Sequence, residues 1–140
     1  MSLDSVFSIA GSGMNAQSIR LNTTASNLAN ADAAASSIDE TYRGRHPVFA
    51  AMKDTLGMDR NGNASAGVSV LGIVESNAPL QPRYEPGHPL SDEEGYVYYP
   101  NVNVVEEMTN MISASRSFQM NVEVMNSAKQ MMQRALSLGQ

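Results

Sequence analysis

From Val104 to Leu138 the chain carries no Pro and no Gly. Along that stretch Val104, Met108, Met111, Ser115, Phe118, Val122, Met125, Lys129, Met132 and Leu136 recur at alternating four- and three-residue steps. All but Ser115 and Lys129 are apolar, so the spacing predicts one helix with a coiled-coil-like stripe. Pro100 ends the segment before it, and Asn103 followed by Glu106 is an N-cap with an acidic residue three positions on. At about 1.5 Å per residue this helix is about 50 Å long. That is very long for a chain of 140 residues.

The first third repeats the pattern. Leu3, Phe7, Ala10, Met14, Gln17, Leu21, Thr24 and Leu28 take the same steps, which predicts a helix from Leu3 to about Ala31. An amphipathic helix lying on its own domain core is the ordinary reading of such a stripe. The other faces argue against it. Between Met1 and Ile38 the only charges are Asp4, Arg20 and Asp32, and the rest is Ser, Asn, Thr, Gln, Ala, Gly and apolar residues. A helix whose outer face meets water ordinarily carries Glu/Lys pairs. Gly11 and Gly13 lower helix propensity by about 1 kcal/mol each against Ala, a cost that close backbone approach offsets. Both ends therefore read as helices packed on several sides.

Charges and turn residues gather between them. Pro47–Ala50, Val68–Glu75 and Tyr96–Tyr99 are strand candidates, with Pro79, Pro82, Pro86 and Pro89 breaking the rest and Asn61-Gly62 marking a turn. The expected fold is mainly α with a small β insertion: long N- and C-terminal helices packed as an antiparallel coiled-coil-like pair, with a β-hairpin or loop module between. The expected division is 1–32 and 100–140 for the two helices of an axial core and 33–99 for the connecting segment and module.

Composition closes off several functions. Net charge is −5 and no Lys/Arg run occurs, which argues against a nucleic-acid partner. Cys is zero, so disulfides and thiolate metal sites are excluded. No stretch is long and apolar enough for membrane insertion, and the N-terminus lacks the pattern of a cleaved secretory signal. His46 and His88, each beside a Pro, are read as loop residues without ligand spacing. Asp59, Asn61 and Asn63 mimic the start of a calcium loop, but Ala64 and Val70 stand where Gly and Glu belong. Asp92-Glu93-Glu94 reads as a solvated turn, and Gly11-Ser12-Gly13 lacks the strand and third Gly of a nucleotide loop. No catalytic set converges and no cofactor is expected, so the chain is read as not an enzyme.

Ser12-Gly13-Met14-Asn15-Ala16-Gln17, Arg20-Leu21-Asn22 and Ala25-Ser26-Asn27-Leu28-Ala29-Asn30-Ala31 resemble the N-terminal signature of flagellar rod and hook proteins. Tyr42-Arg43-Gly44-Arg45-His46-Pro47-Val48-Phe49 and the run from Tyr99 to Asn121 resemble the proximal-rod branch of that family. Asp32 followed by Ala33-Ala34-Ala35, and Phe118 where Tyr is frequent, depart from the pattern. The resemblance implies a structural subunit of the basal-body rod, carrying motor torque toward the hook and needed for motility. It implies a substrate of the flagellar type III export apparatus, moved to the periplasm without a cleaved signal. Implied partners are further copies of itself and other rod subunits, including the rod-base adaptor and distal-rod proteins. The residues expected at the assembly interface are Phe7, Gly11, Gly13, Met14, Leu21, Asn27, Leu28, Asn30, Met108, Met111, Ile112, Phe118, Val122, Met125, Met132 and Leu136. Helices of this make-up are marginal alone, so both ends are expected to order on joining neighbours. A soluble coiled-coil chaperone or adaptor would want charged flanking positions that the stripes lack. A cell-wall hydrolase would want a carboxylate or His set in the centre.

Overall fold

The computed structural model describes residues 3–53 and 66–138. Helix α1 spans Leu3–Ala29 and helix α2 spans Val104–Leu138. Between them lie strands β1 (Arg45–Lys53) and β2 (Ala66–Glu75), then β3 (Gln81–Tyr84) and β4 (Tyr96–Tyr99). Each successive pair forms an antiparallel two-stranded ribbon. The expected calcium-like segment and the Asn61-Gly62 turn lie outside the described residues.

The helices pair antiparallel. Arg20 faces Ser113, a Cβ on Gly13 would stand 3.0 Å from the Asn121 amide nitrogen, and Val6, Ile9 and Ala10 share a groove with Asn121 and Val124. Residues in register thus sum to about 134, which sets Leu3 level with Met131 and leaves the end of α2 reaching past α1. Asn103 caps α2: its Oδ1 accepts from the Val105 and Glu106 amides at 3.1 and 3.4 Å.

Packing refines the expected stripe. Across α2 its members Met111, Ser115, Phe118, Val122 and Met125 are half-buried, while the fully buried Glu107, Ala114 and Ala128 sit one residue before Met108, Ser115 and Lys129. On α1, Gly13 comes close to Asn121 and Arg20 reaches Ser113, one residue before Met14 and Leu21, and Ala10 and Thr24 of the stripe itself are buried. The reason is steric. Ala10, Ala16, Ala114 and Ala128 are the buried apolar residues of the two helices, and small side chains bring two backbones closer than Met or Phe can. Apolarity marked the stripe; size decided which edge of it faces the partner helix.

The β1–β2 ribbon lies along α1. Ser12 Oγ accepts from the Val68 amide at 3.1 Å near one end, and Asn27 grips Arg45 at the other. His46 is therefore a strand residue, not loop, and Pro47 falls in the strand expected over Pro47–Ala50. In the second ribbon Pro82 pairs with Tyr98, although Pro82 had been read as a strand breaker. The amide and carbonyl of Tyr98 both bond Ala35 on the opposite side, each at 3.0 Å. Pro82 therefore sits at a non-hydrogen-bonded position of an edge strand, where a missing donor costs nothing. Asp92 closes the turn as expected of it, its Oδ1 accepting from the Glu94 and Tyr96 amides. Gly95 follows at φ +85°, where an added Cβ would stand 2.9 Å from the Tyr84 ring.

Candidate assembly surface

Two Asn side chains tie the helices to the module. Asn27 is 1% exposed. Its Nδ2 donates to the Arg45 carbonyl at 2.8 Å, and its Oδ1 accepts from the Arg45 amide and the Tyr42 hydroxyl, each at 2.9 Å. One amide side chain thus stands in for a neighbouring strand at the start of β1. Asn101 does the same ahead of α2, accepting from the Gly44 amide at 2.8 Å and donating to the Ser76 and Ala78 carbonyls. The polar atoms of Asn27, a residue expected at the interface between subunits, are engaged inside its own chain by Tyr42 and Arg45, which a local reading of the Asn-rich motif does not contain.

Other uncharged polar residues of α1 turn inward by bonding their own backbone. Thr23 and Thr24 hydroxyls reach the Ile19 and Arg20 carbonyls, and both side chains are buried. Part of the uncharged surface of α1 is therefore covered by the protein itself. What stays exposed on α1 is Asp4, Ser8, Asn15, Asn22, Ala25 and Ala29, with Asp4 its single charge.

Among the remaining expected interface residues, Phe7, Gly11, Gly13, Met14, Leu21, Leu28, Asn30, Met111, Phe118, Val122 and Met125 are half-buried. Met108, Ile112, Met132 and Leu136 are exposed. With them stand Val105, Met120, Val124 and Met131, which the stripe did not single out. Ile112 and Met120 line one groove on α2 with Thr109, Ser113, Arg116 and Ser117. The β1–β2 ribbon adds Phe49, Leu71, Ile73 and Val74, and Leu71 is 71% exposed. The chain exposes 9731 Å² in all, against about 7,000 Å² for a compact monomer of 15.0 kDa.

Among the described residues no cluster of His, Asp and Glu is arranged to hold a metal ion, and no helix is long and apolar enough to cross a membrane. The only ion pair among them, Arg45 with Glu75 at 3.1 Å, is about half exposed and contributes at most about 1 kcal/mol.

Residues 7–34 match the family model described as flagella basal body rod protein, and residues 93–138 match the C-terminal model of flagellar basal body rod FlgEFG proteins. Over its full length, and the full length of each relative, the chain is 50% identical to the flagellar basal-body rod protein FlgC of Salmonella typhimurium and 46% identical to that of Yersinia enterocolitica. The chain belongs to the flagellar basal-body rod protein family. A more distant member, FlgC of Borreliella burgdorferi, is 37% identical over 99% of the chain. As a rod-family protein it is a structural component of the basal body, and its exposed apolar faces take their meaning from that.

Proposed function

We propose that this rod-family subunit polymerises through the outer faces of α1 and α2 into the helical shaft that carries motor torque to the hook. The observation that carries the proposal is the row of exposed apolar side chains on α2. Glu107, Ala114 and Ala128 are buried, while Val105, Ile112 and Met120 stand at 74, 57 and 59% exposure. Apolar faces of this extent on a soluble chain mark contact with another molecule. A heterologous contact that does not close on itself builds a helix of subunits. Residues 1–32 and 100–140 then serve as the axial core and 33–99 as the connecting module. Phe7, Met14, Leu21, Met108, Met111, Phe118, Val122 and Met132 supply further contacts, with Gly11 and Gly13 permitting close approach.

In this reading the subunit leaves the cytoplasm through the flagellar type III export apparatus without a cleaved signal. It meets further copies, the rod-base adaptor and distal-rod subunits in the periplasm. It performs no catalysis. The Ile112→Asp, Met120→Lys double variant tests the proposal in cells lacking the native copy. The expected result is basal-body rings without a rod by electron microscopy and loss of motility, with the variant still helical in solution. A complete hook and filament overturns the proposal.

A further inference from the structure

The end of α2 is a helix with little around it. Among the described residues α2 touches α1 and none of the strands. Its last buried residue is Ala128, and every residue from Lys129 to Ser137 is exposed. The stripe of α2 nevertheless runs on, through Lys129, Met132 and Leu136 at one face of the helix, with Met132 and Leu136 at 38 and 69% exposure. A helical end of that length has little stability of its own in water, and its apolar face needs cover. Beyond Glu123, α2 carries Lys129 and Arg134 and no acidic residue. Cations in the last turns suit the helix dipole, which accounts for the charge and not for the apolar pair beside it.

A patch of the opposite sign stands before the other end of α2. From Gln81 to Tyr99 the sequence holds Glu85, Asp92, Glu93 and Glu94 against Arg83 alone, a net −3 within a chain of −5. Arg83 lies over the Tyr99 ring, 4.3 Å from its centroid. Asp92 closes the turn and Glu85 accepts from the Tyr99 hydroxyl at 3.4 Å, while Glu93 and Glu94 are exposed. Tyr84 and Tyr96 flank the turn at 65 and 39% exposure, packed edge to face with centroids 5.4 Å apart. The ribbon runs into α2 at Val104, so about 25 residues and roughly 38 Å of helix separate it from Lys129. We infer that the exposed end of α2 docks on the β3–β4 turn of a second copy of this chain, with Met132 and Leu136 against Tyr84 and Tyr96 and Lys129 toward Glu93 and Glu94. Opposite charge at opposite ends makes the contact head-to-tail, so each added copy leaves one turn and one helix end free and the row gains a direction. The inference rests on the assembly reading above and names two surfaces that meet in it.

The test reverses the charges and then restores their match. Lys129→Glu and the Glu93→Lys, Glu94→Lys pair each replace the native copy in motile cells. Each alone is expected to cut completed rods at least about fivefold, because like charges then face each other. The three substitutions in one chain are expected to bring rods back to within about twofold of wild type. All three positions are exposed, so circular dichroism of each purified variant should match wild type. Rods built at the wild-type rate by both single reversals, or no recovery in the combined variant, overturn the inference. Either result leaves the assembly reading standing, since that reading is tested at Ile112 and Met120. A Gln133→Cys, Glu93→Cys chain identifies the occupant, because the native sequence has no Cys. A bis-maleimide added to basal bodies should join copies of this chain into dimers and higher multiples. Cross-links only to a different protein, or none, overturn the assignment to a second copy.

Discussion

Two parts of the molecule bury polar side chains and treat them in opposite ways. At the junction where α1 ends and α2 begins, Asn27, Tyr42, Gly44 and Asn101 bond one another and the backbone, and each amide uses both its donor and its acceptor. In the middle of the helix pair, Gln17 and Arg20 bury polar atoms with no partner among the described residues. The junction fixes the angle at which the module leaves the helices, a geometry that one subunit sets alone. The helix pair has further neighbours to meet. Bonding is complete at the junction and incomplete in the middle of the helix pair.

The sharpest way to break this comparison is at the junction. Asn27→Leu strands the Arg45 amide and carbonyl and leaves the Tyr42 hydroxyl only Ser26 Oγ as partner, and is expected to destabilise by about 3–5 kcal/mol in denaturant unfolding. A loss below about 1 kcal/mol means that the junction is not the fixed part of the molecule. Next comes the seam against the outer face of α2. Ala114→Leu forces a large side chain between two close backbones and costs about 1–3 kcal/mol. Its neighbour Ile112→Ala, on the exposed side, changes subunit stability by no more than about 0.5 kcal/mol. Equal costs at the two positions would erase the distinction between a finished face and an open one.

Smaller effects sharpen the picture. Asn103→Ala removes the cap of α2 and should cost about 1 kcal/mol, read as lost helicity in the first turns. Tyr98 offers a test by pH. Burial, and then the charge and hydrogen bond of Asp92 with its carboxylate 3.3 Å from the hydroxyl, raise the phenol above its ordinary 10.0. The unfolded chain therefore releases this proton first. The stability is fully present below pH 10 and is lost as pH rises through the higher folded value. Tyr98→Phe should flatten the alkaline limb of the unfolding profile, and an unchanged limb would remove the assigned cause.

Much of this architecture was legible in the residues. The bounds of α2, the strand at Tyr96–Tyr99 and the Asn103 cap follow from period, Pro punctuation and cap chemistry, all local rules. Three things were not legible. The buried Ala114 and Ala128 sit one residue off the apolar stripe because backbone proximity rewards small side chains, while a hydrophobic pattern singles out Met and Phe. The strand holding Pro82 depends on Tyr98 turning its bonds toward Ala35, a pairing that no local window contains. Asn27 turned inward because Arg45 arrives beside it after a loop, so an uncharged helix face proved to have two kinds of cover, the chain's own ribbon and what lies beyond it.

The account stands on the outer face of α2 being covered by neighbouring copies. The chain has no Cys, so a single Ile112→Cys substitution gives a unique probe there. Maleimide labelling should proceed readily on the free subunit and be strongly suppressed in purified basal bodies. Equal labelling in both would show that this face meets water in the rod, and would contradict the account.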